Sequence, residues 1–310
     1  MMGCSFLQSS QRWTILGILK IFIKLIHKWD RDEEDENPLC TFKDQLCILV
    51  FSALTDSSVQ LQMVGISTLA VLASQQDLLS PTDIELSVDH LNRLILQEAD
   101  PQVCAAALEA STTISAIHPS AFISKMVPAL TQELNTEPME VKSDDKPPAS
   151  SGNALRQRSI QALAAISTHP SIVKRTVPVL LQHLIRLQKG SSGNEGDTAI
   201  LTCQSLQLVA EHCRGAGESS QYFHQMVIPC LLGLAIQTAV QDCGCEVPLG
   251  ILCEEQVIMA FGTVISTAYS DGETELASGT ISQIVALYLD GDVSFLPENN
   301  LSRKFQPFQP

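Results

Sequence analysis

The run "CGCEVPLGILC" gathers three soft thiols, Cys243, Cys245 and Cys253, and His212 and Cys213 lie upstream of it. Thiolate and imidazole donors of this kind suit zinc or part of an iron–sulfur cluster, because soft ligands hold such ions once deprotonated. Structural zinc sites more often show paired C-x-x-C knuckles, and this chain contains none. The competing reading is a Gly- and Pro-containing loop that carries Cys243 and Cys245, with Cys253 opening the next helix. On that reading the chain holds no cofactor. A metal-carrying or redox protein built on the 243–253 thiols stands as an alternative.

Other chemistry leaves little trace. The chain has no G-x-x-x-x-G-K-[ST] loop, no H-E-x-x-H helix and no G-x-S-x-G elbow. The glycine-rich "GSSGNEG" (190–196) follows no strand and reads as a loop. Asn300 in "NLS" matches a glycosylation sequon, which matters only in a secreted chain. The chain has ten cysteines, and several, such as Cys47, Cys104 and Cys230, sit inside apolar runs. There a thiol behaves as a small hydrophobe. Their irregular spacing is unlike a disulfide framework and points to reduced thiols in cytoplasm or nucleus. We expect no catalytic residues and no enzyme.

The elements that would position any site are helical. Hydrophobic residues make up 45% of the 310 and aromatics 5%, so the core has to be built from Leu, Ile, Val and Ala. In "SPTDIELSVDHLNRLILQ" (80–97), Ser80 is placed to cap a helix with Pro81 in its first turn. Asp100 and Pro101 repeat the device before "QVCAAALEASTTISAI". Asp56 is the expected cap of "SSVQLQMVGISTLAVLA". Sustained alternation bounded by hairpin turns is absent, and the fold class is all-α.

One phrase recurs. "IHPSAFISKMVPALTQEL" (117–134) returns as "THPSIVKRTVPVLLQHL" (168–184), and "YFHQMVIPCLLGLA" (222–235) is a third version. Pro119 and Pro170 each end one helix and start the next, because proline disfavours α geometry in the preceding residue and tolerates the first helical turn. Pro128, Pro178 and Pro229 fall farther inside, where each should kink its helix. Leu130 and Leu180 belong to the stripe that buries against a neighbour. A helical hairpin cannot hide such a stripe alone, so copies must stack. The spacing suits HEAT or armadillo units, giving an α-solenoid of roughly six hairpins. Residues 1–310 read as one array, with loops at 137–152, 189–197 and 240–252.

"RWTILGILKIFIKLIHKW" (12–29) imitates a membrane signal, yet Gly17, Lys20, Lys24, His27 and Lys28 form a polar stripe along it. It reads as the first helix of the stack; Trp13 and Trp29 at its ends leave an interfacial membrane helix as the alternative. "DRDEEDE" (30–36) follows as a solvated linker.

Acidic residues number 34 against 19 basic, a formal charge of −15. Such a surface repels a phosphate backbone, so direct nucleic-acid binding is not expected. "FKDQLCILVFSALTD" (42–56), "STHPSIVK" (167–174), "YFHQMVIPCLLGLA" and "LDGDVSFLPEN" with "RKFQPFQ" (289–299 and 303–309) resemble the MMS-nineteen family. The opening "MMGCSFLQSS" and the 240–252 loop depart from it. The resemblance implies a HEAT-repeat adaptor of the cytosolic iron–sulfur assembly targeting complex. Its partners would be that complex's components and apo iron–sulfur clients such as helicases, polymerases and primase, in cytoplasm and nucleus. Members of the family are longer, and "FQPFQP" supplies no polar capping repeat, so an internal segment is expected. A HEAT scaffold of nuclear-transport or phosphatase type is the other alternative.

Overall fold

The computed structural model describes residues 9–28, 41–75, 78–136, 150–187, 195–242, 255–269, 274–290, 292 and 294. Among the described residues every regular element is helical, and the architecture is all-α and solenoid-like. The chain groups into two compact units, residues 1–166 and 167–310.

The first unit holds α1 (Ser9–Lys28), α2 (Lys43–Leu54), α3 (Val59–Ala73), α4 (Pro81–Gln97), α5 (Pro101–Ile117), α6 (Pro119–Ala121), α7 (Val127–Asn135) and α8 (Ser150–Ala165). Sequential partners pack as hairpins: α2 on α3, α4 on α5, α7 on α8. The hairpins then stack in two rows, α1–α3–α5–α8 on one side and α2, α4 and the α6–α7 region on the other. In the second unit α9 (Pro170–Leu187), α10 (Glu195–Cys213), α11 (Glu218–Asp242) and α12 (Glu255–Ala268) repeat the scheme. There α9 packs on α11 and α10 on α12. Helix α13 (Thr274–Asp290) follows, with Ile281, Ile284, Val285 and Leu289 exposed.

Local sequence accounts for most boundaries. Ser80 and Asp83 form a reciprocal capping box, with Pro81 at the first helical position. The Asp100 carboxylate accepts from the Gln102 and Val103 amides at 2.8 and 3.3 Å. Asp56 behaves otherwise than expected: α3 starts at Val59, with Ser58 in the cap position. Asp56 instead accepts from the Ser58 amide at 2.8 Å and pairs with Arg12 of α1 at 3.1 Å. The carboxylate is thus shared between the chain entering α3 and a tertiary partner. The expected loops are also shorter at their described ends. Residues 150–152 already belong to α8, 195–197 to α10 and 240–242 to α11.

The internal prolines are accommodated in two ways. Before Pro128 the helix widens into a π-turn, Phe122–Met126, in which the Val127 amide reaches back to the Phe122 carbonyl. Proline supplies no N–H and its ring crowds the carbonyl four residues earlier; a wider turn relieves both. Pro128 thus follows a π-turn within a helical run that continues from Pro119 to Asn135. Pro178 and Pro229 lie within α9 and α11, which continue through them.

The core is aliphatic, as composition requires. Along α9, Ile172, Val173, Val177, Leu180, Leu181 and Leu184 are all buried. Each such side chain contributes about 1.5–3 kcal/mol through removal from water. Where α2 crosses α3, a Cβ on Gly65 would lie 3.0 Å from Ala53 Cβ and 3.3 Å from Leu54 Cδ2. A larger residue there would require Ala53 or Leu54 to give way by a few tenths of an ångström.

Candidate binding surfaces and the contacts that build them

Cys243, Cys245 and Cys253 lie outside the described residues. His212 is half-buried and Cys213 buried at the end of α10. Among the described residues no group of three or more His, Cys, Asp or Glu is placed to hold a metal ion. Of the described thiols, Cys47, Cys203, Cys213 and Cys230 are buried and Cys104 is half-buried. Burial pushes Cys203 up to about 12 and Cys230 up to about 11, so neither forms thiolate at neutral pH. Burial, then the Asp83 charge, likewise raises Cys47. Cys104 donates its S–H to the Glu98 carbonyl at 3.3 Å. These are packing thiols.

The repeat residues serve architecture. Pro119 opens α6 and Pro170 opens α9; Leu130 and Leu180 are fully buried. Pro178 and Pro229 are half-buried within their helices, and Pro128 is exposed.

Sequence reading missed a second device, in which basic side chains of one helix close the ends of another. Arg93 of α4 donates to the Leu54 carbonyl, the last of α2, at 3.1 Å. His118, after α5, donates to the Ala73 carbonyl at the end of α3 at 2.9 Å. Arg158 of α8 donates to the carbonyls of Ile95, Leu96 and Glu98 at 3.4, 3.2 and 2.8 Å, closing α4. Arg156 reaches the Thr136 carbonyl behind α7 at 3.0 Å, and Arg214 reaches that of Thr267 in α12 at 2.8 Å. The last carbonyls of a helix have no partner in their own helix and carry the negative end of its dipole. A basic side chain there satisfies the first need, and the charged arginines satisfy both. The signal in the sequence is faint, since each pair is twenty to sixty-three residues apart.

Ion pairs add further links between neighbouring hairpins. Lys43 of α2 meets Asp83 of α4 at 3.3 Å, Lys125 meets Glu85 and Asp89 at 3.6 and 3.9 Å, and Lys174 of α9 pairs with Glu218 of α11. Much of the small basic complement is therefore used within the fold.

A cleft of roughly 730 Å³ opens beside the α2–α3 turn, lined among others by Thr55, Asp56, Gln62, Arg93 and Glu98. Its polar groups bond one another: Gln62 donates to Glu98 at 3.0 Å, and Asp56 takes Arg12. Its lining combines the hydroxyls of Thr55 and Ser57 with the carboxylates of Asp56 and Glu98. No described helix is long and apolar enough to cross a membrane.

Stacked helical hairpins, joined by basic side chains at their ends, define a solenoid-like helical protein. A profile described as "RNAPII transcription regulator C-terminal" (MMS19_C) matches residues 159–310. Proteins named "MMS19 nucleotide excision repair protein homolog" from Bos taurus and Homo sapiens are each 49% identical over 303 residues. Those alignments cover 97% of this chain and 29% of each relative. The Danio rerio protein of the same name is 39% identical over 317 residues, covering 97% of this chain and 30% of the relative. The chain belongs to the MMS19 family and spans somewhat under a third of the length of these curated relatives.

Proposed function

We propose that the chain is part of a non-enzymatic HEAT-repeat adaptor that recruits apo iron–sulfur proteins, DNA repair and replication enzymes among them, to the cytosolic iron–sulfur assembly machinery. The observation that carries this reading is similarity along 97% of the chain to relatives named for nucleotide excision repair. The fold supports it, because stacked hairpins present long surfaces suited to holding other proteins. Acidity supports it too. A chain of formal charge −15 is poorly suited to DNA, so a repair role is better served through protein clients. The adaptor works in cytoplasm and nucleus, where both its clients and reduced thiols are found.

The test is affinity purification of the full-length protein from cell extract at moderate salt. Iron–sulfur assembly components, with helicases and polymerases, are expected to be enriched. Recovery of nuclear-transport cargo or phosphatase subunits without iron–sulfur proteins replaces this reading with a general HEAT scaffold. Metal analysis of anaerobically purified protein addresses the remaining alternative. Stoichiometric zinc or iron lost in Cys243→Ser with Cys245→Ser, together with stability, would make the protein a metal carrier.

A further inference from the structure

We propose that the face formed by α9 and α11 docks an extended acidic segment of a partner protein. In α9 the exposed residues are Lys174, Arg175, Gln182 and Arg186, with Pro178, Val179 and Ile185 half-exposed between them. At 3.6 residues per turn they share one face, opposite the buried stripe. The helix, "PSIVKRTVPVLLQHLIRL", contains no acidic residue. In a chain of net charge −15 this is a local reversal of sign.

The neighbouring helix completes the surface. Glu218 of α11 pairs with Lys174, and the Tyr222 hydroxyl donates to the Lys174 carbonyl at 3.5 Å, which holds α11 alongside α9. From Ser219 to Gln241, α11 carries no Asp, Glu, Lys or Arg. It presents Gln221, Gln225 and Met226, the last 42% exposed, with Tyr222 and Pro229 half-exposed. A basic row thus lies beside a row of amides and an adaptable thioether.

Each part matches one part of an acidic peptide. Guanidinium groups bind carboxylates with paired, directional hydrogen bonds. Glutamine amides both donate and accept, as a peptide backbone requires. Methionine accommodates apolar side chains of varied shape. Arg175 and Arg186 are eleven positions apart, about 16 Å along the helix. An extended chain covers that distance in about five residues. The face is therefore matched to acidic residues spaced about five apart with an apolar residue between. A nucleic acid is the less suitable occupant, since so few cations do not offset the surrounding negative field.

The partner's being a protein rests on the adaptor reading, but the test uses purified components only, so the two fail separately. The probe is a short fluorescein-labelled peptide with two Glu–Glu pairs about five residues apart and a central leucine, titrated with the whole chain and read by anisotropy. Binding is expected to weaken as salt rises. Arg175→Glu with Arg186→Glu should weaken it at least about tenfold, and Met226→Ala should weaken it by a smaller factor. Lys20→Glu with Lys24→Glu on α1, which changes net charge equally, should have little effect. Circular dichroism checks that every variant keeps its helix content. Absence of peptide binding, or equal sensitivity to both charge reversals, overturns the proposal. So does a single-stranded oligonucleotide that binds through the same arginines more tightly than the peptide.

Discussion

Leu180, at 0% exposure in α9, shows how a single side chain supports the stack. Leu180→Asp would place a carboxylate among Ile172, Val173, Val177 and Leu184 without a partner, or force it to protonate. The expected loss is about 4 kcal/mol or more, read by chemical denaturation, whereas Leu180→Met should cost less than about 1.5. Equal stability of the two variants would show that this face is not the core. The thiols make a second prediction. Cys203 and Cys230 are buried, with ionisation held to about 12 and about 11. A disulfide reagent at mildly alkaline pH should therefore leave both unmodified in the native protein and label them on unfolding. Rapid native labelling at Cys203, located by mass spectrometry, would contradict its placement.

The helices begin where short-range chemistry tells them to and end where distant cations hold them. Asp100→Ala removes the acceptor for two amides and should cost about 1 kcal/mol. Arg158→Ala removes the donor to three carbonyls of another helix and should cost more, about 2 kcal/mol, because those carbonyls lose a charged partner. The order of these two losses in urea melts tests whether inter-hairpin capping outweighs local capping. Asp83 adds a pH dependence. Partial burial alone would raise its carboxyl, but hydrogen bonds from Ser80 and the pairing with Lys43 hold it below its ordinary 3.8. A carboxyl lowered in the folded state binds its proton more readily when unfolded, so its contribution is present above 3.8 and lost as pH falls below it. Asp83→Asn should flatten acid unfolding in that range while lowering stability at neutral pH.

Across the whole molecule the excess of acid sets the response to salt. At −15, like charges repel within each unit, and the exposed ion pairs offset little of that. Raising ionic strength from very low values to about 0.15 M should raise the melting temperature by a few degrees, because the Debye length shrinks to about 8 Å. Over the same range the acidic peptide should bind the α9–α11 face less tightly. Opposite signs are expected because repulsion within the fold is screened in one case and attraction between partners in the other. A melting temperature that falls with salt would mean that attractive pairs dominate.

What the sequence by itself determined was local: helices of 3.6-residue period, corners at Pro119 and Pro170, caps at Ser80 and Asp100, and stripes that must be buried by neighbours. These follow from steric and hydrogen-bonding rules that act over a few residues, so one sequence is enough to read them. The resemblance to the MMS19 family was legible for the same reason, in short phrases such as "STHPSIVK". Tertiary structure alone decided that Asp56 turns to Arg12 instead of capping α3, and that the chain widens into a π-turn before Pro128. It also decided which cation closes which helix, as Arg158 does for α4, and that Arg175 and Arg186 face outward beside the amides of α11. Those outcomes depend on groups brought together from far along the chain. Their partners are chosen by packing, which no spacing rule encodes.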